Sequence, residues 1–555
     1  MFEWLLMFLY NILYYNTNIA LSRVLKDILN WGENSGTKIS LNKTSKFHIC
    51  KKRNCDALHY KIKINDILVT NVTKLKILGI VFNSKFLWND HCIYLKKSLA
   101  ARNNIILYLS ANKSFVHINT LIYLVKTLIL SKIDYGIFIF GRCPKSTLKI
   151  LEPIYHQAAR ASVFAYRTTT IKNLLAECGL PFLKDRAHQA IAGIIPKLLC
   201  SSESIINNDI SQIKYTFTLP KYPSAMVIAL KMVPDFNMDY SNKLRTTNGP
   251  TWNFKASSID LSLSCLKKES TSTSIYLTNF LELKNKYETA GWKLQYTDGS
   301  KLDTGQTAYA IVDDLGNTLQ FKSLPDYASV FTAEACAILS ALRSAPSKTL
   351  ICSDSLSVLK AITNPKCNTW HTVDSIRNIL IQNELLKILW IPGHVGIYGN
   401  EAADHTAKYA CLAPTILEPS KERCDMTRFI KHCLNQDKEI KWLQYRHHHY
   451  TDINTHWKAP IYPTGTSKYK IRVFSRLRLG HTICTHQYIL RNETNNTCIC
   501  NEPLTIRHIL YNCPAFNQYR IHLFNLNNPI NILKDPSIDN INAIYKFIKL
   551  TKLTI

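Results

Sequence analysis

At 555 residues the chain has room for about three or four domains of roughly 150 residues each. Its 46% hydrophobic content, with 28 Tyr, 21 Phe and 9 Trp, supplies ordinary cores and excludes a mostly disordered protein. A net charge of +29 points to nucleic acid as partner, because basic side chains that bind a phosphate backbone release its counterions. The charge is uneven. Residues 291–410 hold about 10 Lys and Arg against about 11 Asp and Glu, whereas 1–290 carry an excess of about twenty positive charges and 411–555 about ten.

Met1–Tyr15 is apolar, but it contains Glu3, lacks a basic start and is broken at Asn11. It reads as a buried helix rather than a signal peptide or a membrane span. Seventeen cysteines, odd in number and scattered, suit reduced thiols inside the cell, in cytosol or nucleus. Residues 1–190 read mainly as helix, with one short buried strand at 75-LKILGIVF-82 and a helix-rich stretch over 115–166. Residues 191–290 read as a connection, and 256-ASSIDLSLSCLKKESTSTS-274, rich in Ser and Thr, as linker.

From 291 the pattern sharpens into strand, strand, strand, helix, strand, helix, helix, strand, helix. The segments 292-WKLQYTDGS-300, 307-TAYAIVDD-314 and 319-LQFKSL-324 form an expected antiparallel meander. A helix is expected over 330–345, a buried strand over 349–355 and helices over 355–363 and 372–386. A strand follows at 387–393, then a helix from about Gly399 that puts Glu401, Asp404 and Lys408 on successive turns.

This pattern carries Asp298, Glu334, Asp354 and Asp404 toward one sheet edge. At about 4 Å two like charges repel by roughly 4 kcal/mol at an effective dielectric near 20, so converging carboxylates either protonate or hold cations. Oxygen-only ligands point to Mg²⁺ or Mn²⁺. Singly, each acid has a simpler role. Asp298 fits a turn, Asp354 a helix N-cap, Glu334 an exposed helix charge and Asp404 an i,i+4 partner of Lys408. Their joint order across one strand–helix frame favours the shared pocket.

The segments 296-YTDGS-300, 332-TAEACAI-338, 352-CSDS-355 and 390-WIPGHVGIYGNEAADHTAK-408 together resemble the type 1 ribonuclease H domain, in the version carried by jockey-type non-LTR retrotransposons. The resemblance implies an α/β domain over 291–412, with a mixed five-stranded sheet and flanking helices. It implies an endoribonuclease that cuts the RNA strand of RNA–DNA hybrids with two Mg²⁺ ions, or Mn²⁺. Asp298 would bridge the ions, Asp404 would complete the nucleophile side, and Glu334 and Asp354 would serve the leaving-group side. His394, in the loop 393-GHVGIYGN-400, would assist proton movement and product release; the alternative is a turn histidine without a role. Ser300 and Asn400 are candidate substrate contacts. Selectivity for RNA requires contacts to the 2′-hydroxyl and to the backbone rather than to base sequence.

Upstream, 25-LKDILNWGENSGTKISLNKT-44, 75-LKILGIVFNSKFLWNDHCIYL-95, 134-DYGIFIF-140 and 156-HQAARASVFAYRTTTIKNLLAECGLPFL-183 resemble the region after the catalytic palm in the same elements' reverse transcriptases. Residues 1–190 are therefore expected to be a mostly α remnant of an N-terminally truncated polyprotein. Polymerase activity is not expected: no pair of aspartates follows an aromatic there, and residues 1–24 contain no Asp. The pair in 311-IVDD-314 reads as a hairpin turn. Lys43, Lys46, Lys51, Lys52 and Arg53 either grip nucleic acid or form a solvated face.

Within 413–555, Cys498, Cys500, His508 and Cys513 form C-x-C-x₇-H-x₄-C, a set able to close a tetrahedral structural Zn²⁺ site in a small knuckle-like module. The motif at 498–513 and its flanks, 476-RLRLGHTICTHQYILRNE-493 and 513-CPAF-516, resemble the C-terminal CCHC segment of similar retrotransposon proteins. Arg472, Arg476 and Arg478 are expected to line up as a phosphate stripe, and 447-HHH-449 as exposed polar residues. The rival to the nuclease is a catalytically inactive, nucleic-acid-binding retroelement remnant. No membrane contact is expected.

Overall fold

The structure is a computed structural model of the 555-residue chain. It describes residues 17–37, 40, 44–50, 62–64, 67–111, 116–141, 143–199, 254, 256–265, 271–346, 348–364, 370–413, 422–445, 449–494, 496–524 and 529–555. Met1–Tyr15, Lys43, Lys51, Lys52, Arg53, His447 and His448, singled out above, lie outside the described residues. Two compact units emerge: Ala187–Gln444, and Met1–Arg186 together with Tyr445–Ile555.

The first of these is built on a sheet of six strands. In chain order they are β1 (Ile259–Asp260), β2 (Lys293–Lys301), β3 (Thr307–Asp313), β4 (Thr318–Leu324), β5 (Thr349–Ser353) and β6 (Leu386–Trp390). Their spatial order is β4-β3-β2-β5-β6-β1. β2, β3 and β4 pair antiparallel as a meander, whereas β5 runs parallel to both β2 and β6, and β1 runs parallel to β6. The interleaved helices are α1 (Thr273–Thr289), α2 (Val330–Ser344), α3 (Leu356–Thr363), α4 (His371–Gln382), α5 (Tyr398–Leu412) and α6 (Arg423–Leu443).

Side chains alternate across a strand, so each strand feeds two cores. Ile311, Ile351 and Ile388 pack with Ile338 and Leu342 of α2, Leu359 of α3 and Ile376 of α4. Val312, Leu350, Cys352 and Leu389 pack on the opposite face with Tyr276 and Phe280 of α1 and Ala403 of α5. All five residues of β5 are buried, as expected of a parallel strand covered on both faces.

The element order from 292 to 412 matches the sequence expectation, and the turn reading of 311-IVDD-314 agrees with the structure. Asp313 Oδ1 accepts from the main-chain N–H groups of Leu315 and Asn317, and Asp314 pairs with Lys284 at 2.7 Å. One expectation needs correction. The sheet has a sixth strand, and it comes from the stretch read as linker: Ile259 and Leu263 are buried, and β1 pairs through Ile388↔Ile259. Two isolated apolar residues among serines are enough to dock a short edge strand, because the pairing itself is made by the backbone. The packing also runs past 412. α6 belongs to the same unit, and its Met426, Ile430 and Trp442 are buried.

The other unit joins residues from both ends of the chain. Its centre is a buried ion pair: Arg478 Nε donates to Glu177 Oε1 at 2.9 Å and Nη2 to Oε2 at 3.1 Å. The hydroxyls of Tyr450 and Tyr462 donate to the same carboxylate at 2.8 and 2.7 Å. Arg478 is therefore not part of a phosphate stripe; only a buried acid at 177, invisible in the local sequence, makes its burial tolerable. Arg476 donates to the main-chain oxygens of Phe164 and Ile555. His449 is half-buried, not an exposed polar residue, with Nε2 2.8 Å from the Leu477 carbonyl. The single strand expected at 75–82 is a hairpin of Lys74–Ile77 and Ile80–Asn83, turned by Leu78 (φ 47°) and Gly79 (φ 84°). Consecutive left-handed residues give the tight turn whose twist matches the strands.

Candidate metal centre

The parallel register Ser353↔Thr297 makes the next residues, Asp354 and Asp298, neighbours at the end of β5. Asp354 is fixed on its other side, where Ile391 N–H bonds the Ser353 carbonyl at 3.1 Å and Trp390 Nε1 bonds the Asp354 carbonyl at 3.2 Å. Glu334 arrives from the first half of α2. That helix lies so close to β2 that a Cβ on Gly299 would stand 2.3 Å from the Glu334 amide nitrogen. Glycine at 299 is what allows backbone to meet backbone here.

One carboxylate oxygen from each of Asp298, Glu334 and Asp354 lies within 4.8 Å of the other two. At that distance each ionised pair repels by about 3–4 kcal/mol at an effective dielectric near 20. Burial first, then the charges of Asp354 and Asp404, push Asp298 up to about 7. Glu334 is raised well above its ordinary value by burial and then by Asp298 and Asp354. Burial also raises Asp354, against the Asn400 hydrogen bond and the His394 charge, which lower it. Glu334 Oε2 is buried with no hydrogen-bond partner. An acceptor-only pocket with an orphaned oxygen fits a hard divalent cation.

Asp404, on α5, is not brought into the trio. Its Oδ2 bonds Lys408 Nζ at 2.7 Å, although its charge still raises Asp298. His394 is exposed, at φ 59° in the loop before α5, and its charge acts on Asp354. Asn400, expected as a substrate contact, is 2% exposed; its Nδ2 donates to Asp354 Oδ2 at 3.3 Å and its Oδ1 is buried without a partner. Ser300 is half-buried, and its carbonyl accepts from the Cys411 thiol at 3.5 Å. Sequence reasoning missed two buried acids, Glu422 and Asp425, at the start of α6. Acidic residues at a helix start were the available signal, but they read equally well as solvated charges.

The second cluster lies in the other unit. Cys498 Sγ is 3.4 Å from Cys513 Sγ, Cys500 Sγ is 3.0 Å from His508 Nε2, and Cys513 Sγ is 3.9 Å from Cys500 Sγ. Zinc–sulfur bonds of about 2.3 Å in a tetrahedron set ligands about 3.8 Å apart, so this set fits zinc. His508 opens a π-helical turn, His508–Asn512, that brings Cys513 back to it.

A mixed sheet with helices on both faces and carboxylates gathered where β2 meets β5 fits the RNase H fold. Residues 292–412 match the family model for RNase H, and this segment is an RNase H domain. Curated relatives are Pol polyproteins of equine infectious anemia virus. That of strain Wyoming is 37% identical over 120 residues, covering 20% of this chain and 10% of the viral protein. Those of isolates 1369 and CL22 are 36% identical over the same length. The chain thus spans 10% of the length of the curated relatives it matches.

Proposed function

We propose that this domain hydrolyses the RNA strand of RNA–DNA hybrids, with two Mg²⁺ or Mn²⁺ ions at the acidic centre. The observation that supports it is the meeting of Asp298, Glu334 and Asp354, with Glu334 Oε2 unpaired, inside the segment that matches RNase H. Such ions, when bound, lower the pKa of water and stabilise a leaving alkoxide. Asp298, within 4.8 Å of both Glu334 and Asp354, would be among the carboxylates holding the cations. Glu334 offers its orphaned oxygen, and Asn400 orients Asp354 by holding one of its oxygens. Asp404, paired with Lys408, would complete the carboxylate set. His394, exposed at the rim, would pass the proton released by the attacking water toward the leaving 3′ oxygen.

Cys498, Cys500, His508 and Cys513 are proposed to hold a structural Zn²⁺. The basic remainder of the chain is proposed to bind the nucleic-acid backbone. Among the described residues no helix is long and apolar enough to cross a membrane. No disulfide joins the described cysteines, in keeping with a proposed site in cytosol or nucleus.

The test is a labelled hybrid incubated with the full chain, with and without Mg²⁺, beside Asp298→Asn. Cleavage of the RNA strand by wild type alone, only with metal, is the expected result. Equal inertness of both proteins would leave the rival, a nucleic-acid-binding remnant. Cutting of duplex DNA at the same rate would remove the hybrid specificity.

A further inference from the structure

We propose that Asp425, which lies outside the segment that matches RNase H, is a positioning residue for Glu334. The inference rests on the reading of Glu334 as a metal ligand. Asp425 is fully buried. Its Oδ2 accepts from the Ser329 amide at 3.1 Å and from the Thr332 hydroxyl. Ser329 is the N-cap of α2, and its own hydroxyl accepts from the Thr332 amide at 3.3 Å. Asp425 thus holds both the cap and the first turn of the helix, two residues before Glu334. A carboxylate at a helix N-terminus also meets the positive end of the helix dipole.

The approach to α2 is clamped from two sides. Lys301 Nζ, at the end of β2, donates to the carbonyls of Asp326 and Ala328 at 2.6 and 2.7 Å. From α6, Phe429 packs its ring against Tyr327, with centroids 5.9 Å apart. Arg428 reaches Asp425 Oδ1 at 3.3 Å but is 64% exposed, so it contributes little. Bare backbone contact at Gly299 leaves no compliant side chain between α2 and β2. A shift of the first turn therefore moves Glu334 against Asp298 directly. Metal ligands must be held to within about 0.5 Å, and the anchor supplies that constraint.

The same helix provides a control. Glu422, 1% exposed, binds the start of α4 in the same manner: Oε1 accepts from the Thr372 amide at 2.7 Å and its hydroxyl at 2.5 Å, and Oε2 from the His371 amide at 3.2 Å. α4 carries none of the candidate acids. Loss of Glu422 removes a comparable buried anchor without touching the metal centre.

The experiment uses the full chain as Asp425→Ala, Asp425→Asn and Glu422→Ala. Mn²⁺ affinity is measured by electron paramagnetic resonance, and exchange of the amides of 330–336 by hydrogen–deuterium mass spectrometry. Asp425→Ala should weaken Mn²⁺ binding by about 10- to 100-fold and speed exchange over 330–336. Asp425→Asn, which keeps an acceptor oxygen, should restore most of the affinity, and Glu422→Ala should leave it unchanged. Wild-type affinity in Asp425→Ala, or an equal loss in Glu422→Ala, would overturn the proposal and leave Asp425 a structural residue only. If wild type itself binds no Mn²⁺, the ligand reading of Glu334 fails separately, and unchanged exchange in Asp425→Ala would then remove the anchor as well.

Discussion

Lys408 Nζ and Asp404 Oδ2 lie 2.7 Å apart, one turn along α5, and Asp404 stands outside the trio formed by Asp298, Glu334 and Asp354. The lysine side chain is 54% exposed, so the pair is weak and easily exchanged for a cation. Lys408→Met should free Asp404 and tighten Mn²⁺ binding up to about threefold, the equivalent of roughly 0.6 kcal/mol for an exposed pair. The gain should shrink in high salt, where the pair is already screened. Weaker binding in a Mn²⁺ titration of the variant would contradict this.

Asp298 gives a pH dependence with a definite sign. Its pKa is raised from 3.8 to about 7, so ionising it opposes folding. The Asp298 contribution to metal-free stability is then fullest below about pH 4 and is lost as pH rises through about 7. Asp298→Asn should have the higher melting temperature at about pH 8 without metal and a smaller gain from added Mg²⁺. Metal affinity of wild type should rise over the same interval, because binding expels protons. His91 and His156, lowered by burial to about 4, cost stability in the opposite direction as pH falls from 6.5, but equally in both proteins. Parallel melting curves for the two proteins would refute the assignment.

At Gly299 a methyl group would meet the Glu334 amide nitrogen at 2.3 Å, backbone that cannot step aside. Gly299→Ala should cost about 1–3 kcal/mol of stability through overpacking. Hybrid cleavage should fall further than stability explains, because α2 must move with Glu334 on it. Denaturant melts beside single-turnover rates test both parts.

The 292–412 frame was legible because its strands and helices are marked by apolar runs and turn residues, and because Asp298, Glu334 and Asp354 stand in the short segments 296-YTDGS-300, 332-TAEACAI-338 and 352-CSDS-355. Long-range polar contacts leave no such trace. Nothing near Arg478 announces Glu177, and nothing near Thr332 announces Asp425. The two-residue strand at Ile259 has too few side chains to show a period. Asn400, read as a candidate substrate contact, bonds Asp354 across 46 residues of sequence, a contact no local pattern shows.

For the cysteine cluster, purified protein should carry one zinc per chain, and Cys513→Ser should lose it and lower the melting temperature. Cys513 is the informative position, being fully buried and within 3.4 Å of Cys498 Sγ. Unchanged metal content by elemental analysis would discard the site.

Breaking the buried pair by Arg478→Met should cost about 3–5 kcal/mol, because Glu177 is left charged and enclosed. Adding Glu177→Gln should recover much of that loss, which a double-mutant cycle would measure. Additive losses would mean that the pair is not coupled.

Glu177 and Arg478 are 301 positions apart. At about 5–20 residues per second, a ribosome delivers the arginine roughly 15–60 s after the glutamate. During that interval the whole of Ala187–Gln444 has left the ribosome and can fold, while the earlier half-core waits with an unmatched carboxylate in its interior. The segment from Tyr445 onward, translated late, thus completes a unit that was begun first.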